Sequence, residues 1–285
     1  MGLSARELIE RCPTIASLPS IYHRLTEVMS DPYSSAADFG AIIQDDTGLT
    51  ARLLQLVNSA FYGLPQKMDS VTQALSVVGT NQLHDLALAT SVLTMFKNIP
   101  PELVDMESFW KHSLACGVAA RTIATQRREP NVERLFVAGL LHDVGRLLIL
   151  MANPDDGRAS IERARAEQRL LVEVEREVMG YDHAVVGRLL MNAWGLPIGL
   201  QEPVGYHHDP KKAQRFPIET AIIHVGDIIA HALLLGNSGE RFVPPLSPAA
   251  WYRLDGDDRL PLSTLDDIAR QYDAAVQAIL QPAHA

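Results

Sequence analysis

Apolar residues recur at three- and four-residue spacing along nearly the whole of this 285-residue chain, and that period constrains the fold more than any other feature. Ile21, Leu25, Val28 and Met29 make one such stripe, and Leu49, Leu53, Leu54, Leu56 and Val57 make another. The punctuation agrees with the period. Ser4-Ala-Arg-Glu7 and Ser35-Ala-Ala-Asp38 read as capping boxes, and Ser70 opens a helix that Gly79 stops. Ser263-Thr-Leu-Asp266 caps a last helix reaching about Leu280. The first part of the chain therefore holds about five or six short helices and no convincing strand. Asn98-Ile-Pro-Pro-Glu102 is the linker, because consecutive prolines disfavour helix on both sides. Longer apolar helices follow around 109–126, 132–150, 160–178, 183–194, 199–206 and 220–235, and 236–248 reads as a Gly/Pro/Ser-rich loop. The expectation is an all-α protein with a small N-terminal bundle over residues 1–98 packed on a larger helical bundle over 99–285. No fixed-period repeat is present.

Composition narrows the function. Asp plus Glu is 34 against 25 Lys plus Arg, a net charge of −9, which disfavours a phosphate polyanion and argues against nucleic-acid binding. Lys211-Lys212 with Arg215 is a small basic cluster that a solvated loop explains. Two distant cysteines, Cys12 and Cys116, are no disulfide framework and fit a reducing cytoplasm. The N-terminus shows no secretory pattern, and apolar runs such as 136–141 and 147–152 fall short of the ~20 residues of a membrane span. No membrane association is expected.

Ten histidines stand out. His112, His142, Asp143, His183, His207, His208 and Asp227 form an ordered series on or at the ends of helices. Imidazole and carboxylate suit iron, manganese, zinc or nickel, and one carboxylate can bridge two ions in a bundle core. With 10 His and 19 Asp in this length, about 0.7 His-Asp pair would fall by chance, and three occur. A lone pair of that kind is more often a helix end than a ligand. The setting of His142 is different: it ends the run Phe136-Val-Ala-Gly-Leu-Leu-His-Asp-Val-Gly145, where a buried His and Asp need partners. Metal is one solution and a mutual hydrogen-bond network is the other.

Gly139-Leu-Leu-His-Asp-Val-Gly145 with upstream Trp110-Lys-His112 resembles the HD superfamily of metal-dependent phosphohydrolases. Ile43-Gln-Asp-Asp-Thr-Gly-Leu-Thr50, Leu53-Leu-Gln-Leu-Val-Asn-Ser-Ala-Phe-Tyr62 and Ser70-Val-Thr-Gln-Ala-Leu-Ser-Val-Val-Gly79 resemble blocks of one branch, the HDOD family. Glu177-Val-Met-Gly-Tyr-Asp-His-Ala-Val-Val-Gly187 and Trp194-Gly-Leu-Pro197 continue the match, which covers roughly residues 13–235. His207-His208 and Gly226-Asp227 fall where the superfamily places its last ligands.

The resemblance implies an HD-type second bundle and a bacterial signal-transduction module acting on a protein partner in trans. It also implies a site for two divalent metals. Many family members have lost the ligands, whereas every ligand position is filled here. The implied roles are Asp143 as bridging carboxylate, His112, His142 and Asp227 on one metal, and His183 with His207 or His208 on the other. Neighbours on a helix point about 100° apart, so His207 and His208 are expected to do different jobs. The alternative is an active phosphohydrolase on a nucleotide or phosphodiester, with Asp143 and Arg146 as its catalytic residues and Arg146 contacting phosphate. Relatives that hydrolyse cyclic di-GMP carry Lys at the position of Arg146 and a Gly-Tyr-Pro signature that is absent after His207-His208. Some hold a third metal through a Glu at the position of Ser108. These departures weigh against that substrate.

The other residues get plainer readings. His224 lies near Asp227 as a supporting or merely packed residue, and His231 follows Asp227 by four, a spacing that allows a hydrogen bond to it. His23, His84 and His284 are surface or local partners, Lys111 is a second candidate for phosphate contact whose plainer reading is an exposed helix lysine, and Cys116 is a small core residue. Asn58-Ser59-Ala60 ends a helix and helps pack the two subdomains.

Overall fold

A computed structural model of the protein describes residues 3–96, 99–254 and 262–280. Asn98 and His284 lie outside them, as does the side chain of Ser263, so its expected cap does too. Among the described residues the fold is all-helical. The first helices are α1 (Ala5–Arg11), α2 (Ser20–Ser30), α3 (Ala36–Asp45), α4 (Thr47–Val57), α5 (Val71–Val78) and α6 (Thr80–Val92). Then come α7 (Met106–Arg127), α8 (Val132–Leu141), α9 (Val144–Ala152), α10 (Pro154–Glu167), α11 (Leu171–Met179), α12 (His183–Ala193) and α13 (Ile198–Tyr206). A short 3-10 turn, Pro210–Lys212, leads to α14 (Pro217–Ala232), α15 (Pro248–Arg253) and α16 (Leu262–Ile279).

The caps act as their chemistry dictates. Ser4 and Ser35 form full capping boxes with Glu7 and Asp38, which satisfies two orphan N–H groups at each helix start. Ser70 accepts from the Gln73 N–H, and Gly79 stops α5 at φ +96°. Two expected helices are each divided. The 132–150 helix breaks at His142-Asp143, and the 160–178 helix becomes α10 and α11 around Gln168 at φ +54°. Apolar periodicity continues across the first break, so the sequence signal could not mark it, while the second falls in the exposed run 165–168, where Glu167 and Gln168 interrupt the apolar stripe.

Helix α7 is the axis of the larger bundle, with α8, α14 and α16 packed along it. Helices α12 and α13 form a pair, with α9 against α12. α2–α6 make the small N-terminal bundle, which meets the larger one through α6 on α8 and α4 on α16. α1 packs away from it, against α9 and α12. Phe61 meets Phe136 with ring centroids 5.1 Å apart, and the Arg121 guanidinium lies 4.6 Å over Phe61. Asn58 joins the end of α4 to the Met68 backbone, accepting its N–H at 2.6 Å and donating to its carbonyl at 2.8 Å. Trp194 Nε1 donates to the Ile15 carbonyl at 2.7 Å. A single apolar core runs through both bundles.

One stretch does exceed the apolar length expected from sequence. Val132–Ala152, which runs through α8 and α9, has mean hydropathy 1.8 over its most apolar window, and 89% of that window is buried inside the protein. It is the core of the larger bundle, and its apolar character is spent on packing.

Candidate metal centre

Five elements converge on one buried point. His112 comes from α7, His142 and Asp143 from the turn between α8 and α9, and His183 from the first turn of α12. His207 and His208 follow the end of α13, and Asp227 comes from α14. Close backbone contact brings these elements together. A Cβ on Gly139 would sit 2.6 Å from the Gly117 Cα, so α7 and α8 touch only because both residues are glycine. A Cβ on Gly145 would sit 2.1 Å from the His183 carbonyl oxygen, which places the start of α9 on the start of α12.

His112, His142, Asp143 and Asp227 form one half of the cluster. His112 Nε2 and His142 Nε2 lie 3.2 and 3.4 Å from Asp227 Oδ1, and 3.9 and 3.4 Å from Asp143 Oδ2. The other half uses the second oxygen of Asp143. His183 Nε2 is 3.0 Å and His207 Nε2 3.9 Å from Asp143 Oδ1. His208 Nε2 is 2.9 Å from His183 Nε2. Both His207 and His208 therefore lie in the group with Asp143 and His183, their rings 4.0 Å apart. The two are not equivalent: His207 is buried and also groups with His142 and Asp227, whereas His208 is half-buried and groups only with Asp143, His183 and His207.

The residues present fit a metal on two counts. The first is orphaned polar atoms. His112 Nε2, His142 Nε2, His207 Nε2, Asp143 Oδ1 and Asp227 Oδ1 are buried without an aligned hydrogen bond. Buried polar atoms are normally satisfied. Several ring nitrogens on the far side are satisfied. His142 Nδ1 donates to the Gly139 carbonyl and His207 Nδ1 to the Val204 carbonyl, both at 2.7 Å. His183 Nδ1 is 2.5 Å from Glu175 Oε2. A carbonyl can only accept, so Nδ1 carries a proton in His142 and His207 and Nε2 is the nitrogen that faces the cluster, as in metal-ligating histidines.

The second count is charge. Asp143, Asp227, Glu175 and Glu240 are buried carboxylates, and Arg146 is the buried guanidinium that meets them. Without a cation, protons on histidine make up the balance. Burial opposes charge on His142, but Asp143 and Asp227 outweigh it and hold the imidazole well above its ordinary pKa. His183 is raised to about 9: burial and Arg146 oppose its charge, and Glu175 and Asp143 overcome them. Burial lowers His112 to about 4, and burial with two neighbouring histidines lowers His207 to about 3, so both keep their lone pairs. Ligation requires neutral imidazole, so ion binding would release protons here.

Arg146 is 3% exposed. Its guanidinium donates to Asp143 Oδ2 at 2.9 Å and to the Ser238 carbonyl and hydroxyl at 2.9 and 2.6 Å, and it packs 3.1 Å from the His183 ring nitrogens. Ser238 belongs to a strap that runs past Arg146 from the start of α7 to the start of α11. Asn237 N–H donates to the Ser108 carbonyl at 3.0 Å, and Glu240 accepts the Leu171 N–H at 2.7 Å. Lys111 pairs with Glu107 on its own helix at 2.6 Å, as an ordinary helix lysine does.

Glu175, Ser238 and Glu240 complete the surroundings of the centre without a motif to mark them in the sequence. Glu175 left a faint signal, a carboxylate within Leu171-Val172-Glu173-Val174-Glu175; the strap left none, because loop composition does not say what a loop covers. His231 Nε2 lies 3.3 Å from Asp227 Oδ1 and groups with His112 and Asp227 as a further set able to hold an ion. His224 supports the His207 backbone, with Nδ1 2.7 Å from its carbonyl, while Nε2 accepts the Ser247 N–H. Cys116 is a buried thiol that burial pushes up, away from reactivity.

The chain matches the model of the HDOD domain over residues 15–210. A crystal structure of an HDOD domain protein from Geobacter sulfurreducens superposes with a TM-score of 0.77 at 24% identity, covering 92% of this chain and 93% of that one. A candidate phosphohydrolase of Shewanella amazonensis gives 0.75 at 22% identity, covering 97% and 98%. These likenesses establish a shared fold. A Treponema pallidum protein of unassigned function is 24% identical over 207 residues, 72% of this chain, and the match spans 40% of that relative's length.

Proposed function

The chain belongs to the HDOD family, and from that premise we propose that it is a signal-transduction module built around a divalent-metal centre and read by a protein partner in trans. His112, His142, Asp143 and Asp227 would hold one ion, and Asp143, His183, His207 and His208 a second. When bound, such ions polarise phosphoryl oxygens and lower the pKa of water. Asp143 offers one oxygen to each half, while Glu175 and the two backbone carbonyls fix the imidazoles. Arg146 holds Asp143 and the strap together, a positioning role; it could meet a phosphate only after Ser238 leaves.

Closure supports a regulatory over a catalytic role. The side chains of His112, His142, Asp143, His183, His207 and Asp227 are 0–4% exposed, His208 is half-buried, and Arg146 ties Asp143 to the Ser238 strap. A substrate seeking the Arg146 guanidinium would have to displace a strap held by several buried hydrogen bonds. The second reading is a dinuclear phosphohydrolase, favoured by the division of the Asp143 oxygens between the two histidine sets. Elemental analysis of the full chain and of a His142→Ala/Asp143→Ala variant, beside a panel of nucleotides and phosphodiesters, separates them. The proposal expects metal lost in the variant and no turnover by the metal-loaded protein. Metal-dependent turnover would establish the second reading, and absence of metal after anaerobic iron or manganese addition would overturn both.

A further inference from the structure

A cleft of about 310 Å³ lies between α1, α12 and α13, with Arg6, Arg188, Asn192, Gln201 and Tyr206 as its polar lining beside Val185 and Leu189. No carboxylate lines it. Neither Arg6 nor Arg188 has an ion-pair partner among the described residues, although acidic residues outnumber basic ones in the chain by nine. A concavity lined by one sign of charge concentrates counter-ions.

Arg188 is built into place. Its aliphatic stem crosses the backbone of Gly205 so closely that a Cβ there would sit 2.5 Å from its Cδ and 2.8 Å from its Cβ. Its guanidinium donates to Tyr206 Oη and lies 4.9 Å from the Tyr206 ring centroid. Ordering the fork in advance removes entropy that a ligand would otherwise lose. Gln201 Nε2 donates to the Leu196 carbonyl at 2.7 Å, and Asn192 is exposed at the rim. The volume is at the lower end for small-molecule sites.

We propose that this cleft binds a phosphate-bearing small molecule of mononucleotide size, with Arg188 and Arg6 on the phosphate and the carboxamides of Asn192 and Gln201 on the remainder. The position suits an effector. Arg188 lies five residues after His183 on α12, which turns it about 140° around the helix from the metal centre. Tyr206 directly precedes His207. The helices that present one half of the centre therefore carry the cleft on another face.

Calorimetry on the metal-loaded full chain tests this with inorganic phosphate, pyrophosphate and AMP as probes. At least one probe should bind below ~1 mM, more weakly as salt rises. Arg188→Ala should weaken it about tenfold or more, the loss of one charge-assisted bidentate contact. Arg6→Ala, at an exposed position that leaves folding intact, should weaken it several-fold with an unchanged Tm, and Arg163→Ala on a distant surface should change nothing. No binding of any probe up to ~5 mM overturns the assignment. So does parental affinity in both Arg188→Ala and Arg6→Ala. Binding that disappears when a chelator strips the metal places the anion at the centre instead and also overturns it.

Discussion

Gly145→Ala should separate the two halves of the centre. The added Cβ would sit 2.1 Å from the His183 carbonyl oxygen and 2.4 Å from the Gly187 nitrogen. Ordinary contact for such a carbon begins near 3.4 Å, so about 1.3 Å must be found. The obstacles are backbone atoms in the first turn of α12, which cannot swing aside as a side chain could. Asp182 caps that turn, accepting the Val185 N–H at 2.9 Å, and Glu175 accepts the His183 N–H at 3.0 Å. Forcing α9 and α12 apart is overpacking with backbone displacement, which costs about 3 kcal/mol. At about 2 °C per kcal/mol for a chain of this size, Tm should fall by roughly 6 °C or more. The centre should suffer more, because ligand distances tolerate only about 0.2 Å while Asp143 and His183 sit on opposite sides of the wedge. Tm, metal content and the rate of metal release to a chelator should all change. Gly180→Ala is the control: its φ of +83° gives a conformational cost, but nothing lies within 4 Å of the added carbon, so metal retention should be unchanged. Unchanged metal content and release in Gly145→Ala, with stability within ~0.5 kcal/mol of the parent, would refute the reasoning.

Asp85 tests burial in the α6–α8 interface. Desolvation raises its pKa from 3.8 to about 6, with Arg134 3.8 Å away opposing the shift. An acid raised on folding binds more protons in the native state, so its contribution to stability falls as pH rises from about 4 to 6, by up to about 3 kcal/mol. His84, lowered to about 4 by burial, acts in the opposite sense in both proteins, so the difference between parent and Asp85→Asn isolates Asp85. Asp85→Asn should gain on the parent across that window in denaturant titrations, and parallel pH profiles would sink the argument. Arg146→Lys keeps the buried positive charge and loses the fork that spans Asp143 and Ser238. Metal release to a chelator should quicken about tenfold with little change in helicity, and an unaltered rate would mean that the strap is held elsewhere.

Much of this was legible from residues alone. Helical period and capping are local, set by atoms within four residues of each other, so Ser4, Ser35, Ser70 and Gly79 could be placed before any packing was known. The ligand types were legible too, since imidazole and carboxylate in an apolar run demand partners wherever the run goes. Helix breaks under continuous apolar period were not, because a buried turn and a buried helix bury the same residues. His142-Asp143 is the case that matters, since that break lets the two side chains face one centre.

Tertiary structure decided the rest. No local rule could say that the Gly145 Cα meets the first turn of α12, that His207 and His208 both turn inward, or that Glu175 reaches His183. Nor could any say that Arg146 is committed to Asp143 and Ser238. Each depends on groups tens of residues apart in sequence meeting within a few ångströms. The chain by itself determined which chemistry was available, because side-chain type and local period are carried by the covalent sequence. Which lone pairs converge, and whether solvent or substrate reaches them, was settled only by how the helices pack.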